Sequence, residues 1–329
     1  MKRTHVIAKL ITTVISIAGL ATAAVAQTKN YPNHPVNFIV PYTPGGGTDI
    51  IARLVAEKLG KLWKQPVVIQ NKPGAGTLIG TNFVKRAQPD GYTFLITSST
   101  LTTLPAMHRS ANFDFSNDLL PVALIAEIPN ILIVSEKLQV KTLKEFIAKA
   151  KSAPGSMTYG SGGGMGSFSH LAMEYMKNTA GIDLLHVPYS GGSNAVTAVI
   201  AGEVGATYTV SSFLPQIDGE RVRPLAVSTP KRFVGAPEIP TFAEAGLPDY
   251  PSMNQWIAML APGNTPGNIV AKVNDDIVKI MADPSLKEAF TKQYLIPNTS
   301  TPEQLGKLLT KESETWKTIV KDANIKPLD

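Results

Sequence analysis

The chain has 329 residues and a formal net charge of +6, and it contains no cysteine. The missing cysteines exclude a disulfide framework, a thiol nucleophile and a thiolate metal site. Three of the 31 basic residues lie within the first nine positions, namely Lys2, Arg3 and Lys9. The rest of the chain then has 28 basic residues against 25 acidic ones. This balance is too mild for a nucleic-acid-binding surface.

The N-terminal segment predicts a secretory signal peptide over residues 1–26. Its basic residues lie before or beside an apolar stretch over residues 10–24, and Ala24-Val25-Ala26 follows. Small residues in this pattern are read by a signal peptidase. The apolar stretch is shorter than the roughly 20 residues that a membrane-spanning helix needs. We therefore expect cleavage after Ala26 and export to the periplasm. The mature chain is long enough for two domains.

The first part of the mature chain alternates β-branched or aromatic runs with helical patterns. Strands are predicted over residues 36–41, 67–70 and 92–97, and helices over residues 49–63 and 77–87. This β-α-β-α-β order predicts a parallel sheet with right-handed crossovers. Thr48 is predicted to cap the first helix.

A second unit of the same kind follows along the chain. Strands are predicted over residues 131–134, 157–159, 184–187, 206–210 and 225–228, and helices over residues 143–152, 168–179 and 194–201. Thr142 is predicted to be the N-cap of the helix over residues 143–152, and Pro154-Gly155 is predicted to end that helix.

The C-terminal third begins with a strand over residues 256–260 and continues with helices over residues 269–282, 285–293 and 302–322. Helices without strand partners pack most simply on an existing sheet, here that of the first lobe. We therefore predict an α/β fold with two lobes, each a parallel-rich sheet with flanking helices. Lobe 1 is predicted to span residues 27–127 plus 254–329 and lobe 2 residues 128–253, with a hinge near 127–130 and 250–254.

Two glycine-rich turns each connect a predicted strand to a predicted helix, over residues 44–49 and 161–167. Glycine allows the backbone to approach a ligand closely and to adopt positive φ. The start of a helix concentrates free N–H groups at the positive end of its dipole. One such turn is most often an ordinary connection. Two of them, in separate lobes, predict a clamp that binds an anion from both sides.

The search for an enzyme site finds little, and we expect no catalytic residue, no metal and no cofactor. The histidines outside the leader lack metal-ligand spacing. Ser167 and His170 lie three residues apart and leave a periplasmic hydrolase open as an alternative, although no G-x-S-x-G elbow is present. A glycine turn over residues 74–80 is similar to a dinucleotide turn. However, Thr97-Ser98-Ser99-Thr100 stand where an acidic residue is expected to bind the ribose.

A series of motifs runs in order along nearly the whole mature chain: PGGGTDIIAR (44–53), NKPGAG (71–76), PDGYT (89–93), YGS (159–161), SHL (169–171), HVPY (186–189), LAVS (225–228) and LAP (260–262). The series resembles the Bug family of periplasmic solute-binding proteins, the receptors of tripartite tricarboxylate transporters. The resemblance implies a two-lobed "Venus flytrap" that closes on a small organic acid and delivers it, by transient contact, to the membrane subunits of a transporter. We expect a monomer with no nucleic-acid partner.

The matching motifs imply two ligand-binding loops, over residues 43–49 and 161–167, with His170 behind the second and a turn over residues 189–193 facing the cleft. The predicted ligand-binding residues are Tyr42, Thr43, Gly45, Gly46, Gly47, Thr48, Asp49, Ser98, Ser161, Gly163, Met165, Gly166, Ser167, His170, Tyr189, Thr209 and Ser211, with Ser99, Ser212 and Trp256 as further candidates. A structural role is also expected for Asp49, because a negative charge in the first turn opposes the helix dipole.

Two departures from the family pattern bear on the ligand. Gly47 stands where the family commonly has proline. Near Tyr208 and Thr209 the family often carries an acidic residue, which suits an amino group on the ligand, and this chain has none there. Hydroxyl groups can donate to a carboxylate, whereas an ammonium group needs an acid. The predicted ligand is therefore a dicarboxylate, aliphatic or aromatic and terephthalate-like. An amino-acid or nicotinate-type ligand is the alternative.

Overall fold

The computed structural model describes residues 30–328 except 109, 110, 112, 218 and 219. The predicted signal peptide over residues 1–26 lies outside the described residues. Among the helices of the described segments, none combines the length and the apolar character needed to cross a membrane.

Two β-sheets organise the chain. The first has the strand order β11-β4-β10-β3-β1-β2 and the second has the order β7-β6-β8-β5-β9. The strands are β1 (Val36–Val40), β2 (Val67–Asn71), β3 (Thr93–Ser98), β4 (Leu119–Ile128), β5 (Asn130–Ser135), β6 (Thr158–Gly162), β7 (Leu185–Tyr189), β8 (Ala206–Val210), β9 (Val222–Val227), β10 (Gln255–Pro262) and β11 (Ile296–Pro297).

Each sheet is mixed rather than parallel-rich. In the first sheet β1 pairs in parallel with β2 and β3, so that Phe38 faces Ile69 on one side and Phe94 on the other. In the second sheet β6 pairs in parallel with β7 and β8. The remaining pairings are antiparallel, because the chain enters and leaves each lobe through strands that return across the sheet. The predicted two-lobed α/β fold is otherwise confirmed.

Helices cover both faces of each sheet. They are α1 (Gly47–Trp63), α2 (Leu78–Lys85), α3 (Thr100–Met107), α4 (Leu143–Ser152), α5 (Phe168–Ala180), α6 (Gly192–Ala201), α7 (Gly267–Met281), α8 (Pro284–Lys292) and α9 (Pro302–Asp322). Apolar side chains at helical spacing explain this placement: Ile51, Val55 and Leu59 of α1 are fully or almost fully buried against the first sheet. Thr142 caps α4 as predicted, by accepting a hydrogen bond from the Glu145 N–H.

The C-terminal helix α9 departs from the prediction that the tail packs on the first lobe alone. Leu305 and Leu309 lie in the first lobe's core with Trp256. Trp316, two turns further along, lies in the second lobe's core, where its ring packs edge-on against Phe168 with 5.1 Å between centroids. The helix therefore contacts both lobes.

Two shorter segments also connect the sheets, between Ile128 and Asn130 and between Tyr250 and Gln255. Hydrogen bonds join them, since the Asn130 side-chain amide donates to the Met253 carbonyl and accepts from the Gln255 side chain, each at 3.0 Å. Neither α3 nor β4 was predicted from the sequence.

Candidate functional site

The first glycine loop turns the chain from β1 into α1. Gly45 has φ +81°, and the Gly46 N–H donates to the Thr43 carbonyl across the turn. Gly46 precedes the helix without a side-chain cap, so the prediction that Thr48 is the N-cap is wrong, and Thr48 lies inside the first turn. Within the described chain the N–H groups of Gly47, Thr48 and Asp49 have no hydrogen-bond partner. They form a group of free donors at the positive end of a helix.

Asp49 lies under this loop rather than facing open space, since it is only 1% exposed. Its Oδ2 accepts from the Gly45 N–H and from Arg53, and its Oδ1 accepts from Asn71 and Arg53, at distances of 2.8 to 3.1 Å. Burial opposes its ionisation, but the hydrogen bonds from Arg53, Gly45 and Asn71 outweigh it and lower the pKa of Asp49. Asp49 thus holds the loop in shape, in agreement with its predicted structural role.

A cavity of about 410 Å³, the first cavity, opens at this loop. It is lined by the predicted Tyr42, Thr43, Gly46, Gly47 and Thr48, and also by Pro41, Pro73, Gly74, Gly76, Thr77 and Thr100. The Tyr42 hydroxyl lies 2.6 Å from Ser98 Oγ, which places Ser98 behind the tyrosine. Thr77 precedes α2 with φ +90°, and its buried Oγ1 has no partner within the described chain. Sequence reasoning missed Thr77 because its exceptional backbone conformation leaves no signal in the residue type.

The second glycine loop turns the chain from β6 into α5. Gly163, Gly164 and Gly166 all have positive φ, between +77° and +99°, which only glycine adopts without strain. Ser167 caps α5 by accepting from the His170 N–H. In the described structure the N–H groups of Gly164 and Met165 have no hydrogen-bond partner. This lobe therefore offers its own free donors beside a helix N-terminus.

A buried aromatic stack supports the second loop from behind. The Gly166 N–H donates to His170 Nδ1 at 3.0 Å, and the His170 ring stacks on His186 with 4.0 Å between centroids. His186 Nε2 in turn lies 2.6 Å from Ser161 Oγ, which also bonds to the Gly164 carbonyl. Burial is the main cause that lowers the pKa of His170 to about 3, helped by His186 and Lys177. His170 is therefore neutral and accepts a hydrogen bond from the loop, and Ser161, which is fully buried, fixes the loop from beneath.

The contacts of Ser167 and His170 do not form the serine–histidine pair that a hydrolase needs. Ser167 Oγ donates to the Gly164 carbonyl and lies 3.2 Å from Ser169 Oγ. The His170 ring nitrogen that makes a hydrogen bond accepts it from Gly166 rather than from Ser167. The pair therefore lacks the contact between hydroxyl and imidazole that activates a serine nucleophile.

A larger second cavity, of about 480 Å³, lies between the lobes. Lobe 1 contributes Ala75, Gly76, Thr100, Thr103, Leu104, Met107 and His108, and the second lobe contributes Gly162, Gly163, Met165, Gly166, Ser167, Phe168, Ser169, Gly192, Thr207, Tyr208, Thr209, Val210 and Phe213, with Gln255 and Leu328 completing the wall. Gly76 and Thr100 line both cavities, so the two adjoin. Among the residues that the structure describes, no lysine, arginine, aspartate or glutamate lines either cavity, and His108 lines the second one.

The two cavities lie where five helices begin. Residues at or immediately before the first turns of α1, α2, α3, α5 and α6 line them, namely Gly47, Thr77, Thr100, Ser167 and Gly192. A helix start carries about half a positive charge, although at α2 the first N–H groups are already paired, since Leu78 and Ile79 donate to the Ala75 and Gly74 carbonyls. The helix starts therefore make the site positive through its backbone, which suits an anion.

Other predicted site residues lie away from the cavities. Ser211 Oγ donates to the Tyr294 carbonyl at 2.6 Å, and the buried Trp256 donates its indole N–H to Glu312. Tyr189 contributes its carbonyl to the Gly163 N–H, while its ring packs beside Gly160. Of the other candidates, Ser99 is buried and Ser212 does not line either cavity. On β8, the four consecutive residues Thr207, Tyr208, Thr209 and Val210 line the second cavity, which places the predicted Thr209 at the cleft and Ser211 just beyond the strand.

Comparison with known proteins gives a consistent result. The profile of the tripartite tricarboxylate transporter family receptor, TctC, matches residues 51–325. The chain is similar to Protein BugT of Bordetella pertussis, at 33% identity over 95% of each chain. It is also similar to the solved Rhodopseudomonas palustris protein Rpa4515 with adipate, at 31% identity and a TM-score of 0.77 over 91% of this chain and 100% of that one. MatC from the same organism, solved with bound malate, shares 27% identity at a TM-score of 0.73 over 88% of this chain and 100% of that one.

Proposed function

Because the chain belongs to the family of tripartite tricarboxylate transporter receptors, we propose that it captures a small dicarboxylate between its lobes and delivers it to a membrane transporter. One observation carries this proposal: five helices begin at residues lining two adjoining cavities, whose described lining contains no lysine, arginine, aspartate or glutamate. Free N–H groups at helix starts bind carboxylates with charge-assisted hydrogen bonds.

The location of free donors in both lobes favours two carboxylate groups over one. The N–H groups of Gly47 and Thr48 lie in one lobe, and those of Gly164 and Met165 lie in the other. A diacid between them neutralises both helix termini, while its hydrocarbon part meets Leu104, Met107, Phe168 and Phe213 of the second cavity. The ligands printed for two solved relatives, adipate and malate, are also diacids.

An amino acid is a poorer fit than a diacid. An ammonium group bound in a cleft needs a carboxylate partner, and within the described part of the chain neither cavity is lined by an aspartate or glutamate. Thr209 of β8 lines the second cavity, and its hydroxyl can donate to a carboxylate, whereas the Thr207 hydroxyl already donates to the Gly160 carbonyl. The nicotinate-type alternative lacks the second carboxylate that the second set of donors would bind.

The remaining parts of the proposal concern compartment, partners and movement. The chain is exported to the periplasm with cleavage after Ala26, acts as a monomer and has no catalytic activity. Residues 27–127 plus 254–329 form one lobe and residues 128–253 the other, with a hinge near 127–130 and 250–254. Binding at a site divided between lobes favours the closed arrangement, since only that arrangement completes the site.

Calorimetry tests the ligand class directly. Succinate, adipate, malate and benzene-1,4-dicarboxylate are compared with aspartate, nicotinate and nicotinamide on the purified mature protein. We expect one or more of the diacids to bind and the amino acid and the amide not to bind. Binding of aspartate or nicotinamide without binding of any diacid contradicts the proposal.

A matched pair of variants tests the contribution of the first loop's donors. Gly47→Pro removes the N–H of Gly47 while keeping a residue favoured at the first helical position. Gly47→Ala keeps the N–H, and a Cβ there meets nothing within 4 Å. Because the family commonly has proline here, we expect Gly47→Pro to weaken diacid binding by no more than about tenfold, the lower end of the value of a hydrogen bond to a charged group, and Gly47→Ala to bind like the wild type. Equal affinities for both variants would show that this donor does not bind the ligand.

A further inference from the structure

The C-terminal tail beyond α9 reaches the ligand cavity. The helix ends at Asp322, and the Ile325 N–H donates back to the Val320 carbonyl, which turns the chain out of the helix. Pro327 follows, with its φ fixed by its ring. Leu328 then lines the second cavity together with Leu104 and Met107 of α3.

The main chain holds this tail in place. The Leu328 N–H donates to the Met107 carbonyl at 2.7 Å, at the end of α3 where the last helical carbonyls have no partner within the helix. Leu328 is 53% exposed, so burial alone does not explain an apolar residue at this point. Its exposed half faces solvent and the rest forms part of the cavity wall.

The tail meets the cavity where the two lobes touch. Met107, which accepts the hydrogen bond from Leu328, packs against Gly166 of the second glycine loop, since a Cβ at Gly166 would lie 2.6 Å from Met107 Cγ. The tail therefore lies beside the donors of the second loop, on the side where Leu104 and Met107 make the wall apolar. A ligand's hydrocarbon part is the group that such a wall accepts.

We infer that Leu328 is a specificity-determining residue, which limits the bulk of the hydrocarbon part of the bound diacid. This inference rests on the proposed function, because it assumes that the carboxylates bind at the glycine loops. The backbone N–H of Leu328 attaches this part of the wall to α3, so the Leu328 side chain can change without disturbing the core. The size of the side chain at position 328 then determines how much cavity space beside Met107 is open to the hydrocarbon part of the ligand.

Two substitutions at one position and one control test the inference. Leu328→Ala enlarges the cavity and Leu328→Trp narrows it, while Lys326→Ala changes an exposed residue of the same tail that does not line the cavity. Dissociation constants for succinate, adipate and benzene-1,4-dicarboxylate are measured by calorimetry for each protein. The readout is the affinity for each larger diacid divided by the affinity for succinate, which cancels any general loss of active protein.

We expect Leu328→Trp to lower these ratios by about tenfold or more, and Leu328→Ala to raise them, by about fourfold for each additional methylene that becomes buried. Lys326→Ala leaves them unchanged. If the wild type binds the series and all three variants keep its ratios, the inference is overturned while the proposed function stands. If the wild type binds none of the diacids, the proposed function fails, and the inference fails with it.

Discussion

Gly164 and Gly166 have the same backbone φ of +77° but different surroundings. A Cβ at Gly166 would collide with Met107, whereas one at Gly164 meets nothing within 4 Å. Alanine at either position costs about 1–2 kcal/mol for the left-handed backbone, and Gly166→Ala adds about 1–3 kcal/mol for overpacking. Urea denaturation should therefore show Gly166→Ala to be the less stable variant. Its diacid binding should also be weaker, because either the loop or the Met107 side chain must move, and both line the second cavity. Equal losses for the two variants would show that the contact with Met107 has no effect.

His170 couples the stability of the second loop to pH. Its pKa is lowered to about 3 by burial, below the 6.5 of an exposed histidine. As pH falls from about 6.5 toward 3, the unfolded chain takes up a proton here and the folded chain does not, so stability is lost. His170→Asn keeps an acceptor near the Gly166 N–H but cannot titrate. We expect the free energy of unfolding of the wild type, relative to the variant, to fall by about 1.4 kcal/mol per pH unit across this range. A difference independent of pH, measured by urea denaturation, would contradict this role.

At the scale of elements, α9 connects the two cores. The Trp316 indole N–H donates to Thr102 Oγ1 of α3 at 3.2 Å, while its ring packs on Phe168 of α5. Trp316→Ala should lower the free energy of unfolding by about 3–5 kcal/mol, as expected for a buried tryptophan. Lys317→Ala, at the neighbouring exposed position, should stay within about 0.5 kcal/mol of the wild type. Denaturant titration measures both, and a loss below about 1 kcal/mol for Trp316→Ala would mean that α9 adds little to either core.

The elements also show where sequence reasoning succeeds and where it cannot. Periodicity and capping predicted most strands and helices, including α9, because local patterns decide them. The helix α3 was missed because Thr100, Thr102 and Thr103 are β-branched and Pro105 lies within it, so local propensity argues against a helix that tertiary packing imposes. The run LLPVALIAEI of β4 is almost continuously apolar and has no alternation to identify it as a strand.

For the site as well, residues placed by local sequence patterns could be predicted, and residues placed by tertiary contacts could not. Both glycine loops were predicted, because a glycine turn before a helix is a local pattern. Ser211 and Trp256 were misplaced because their partners, Tyr294 and Glu312, are far away in the sequence. Leu328 had no signal at all, since only the folded tail brings it to the cavity.

For the whole molecule, we predict that ligand binding draws the lobes together. Donors from both lobes face the same pair of cavities, so a bound diacid stabilises the arrangement that brings them closest. Small-angle scattering should give a smaller radius of gyration with saturating diacid than without it. Aspartate at the same concentration serves as the control and should leave the radius unchanged. An unchanged radius at saturation with a diacid that calorimetry shows to bind would contradict closure.

The position of the tail has a practical consequence for anyone who purifies this protein. A peptide fused after the C-terminal residues would leave the molecule beside Met107, at the wall of the second cavity. An affinity tag placed there would compete for the space that the ligand uses and would pull on the hydrogen bond that fixes Leu328. A tag placed before Tyr31 avoids this, because Tyr31 packs in the first lobe's core with α1 and α7, in a cluster whose described residues do not line the second cavity.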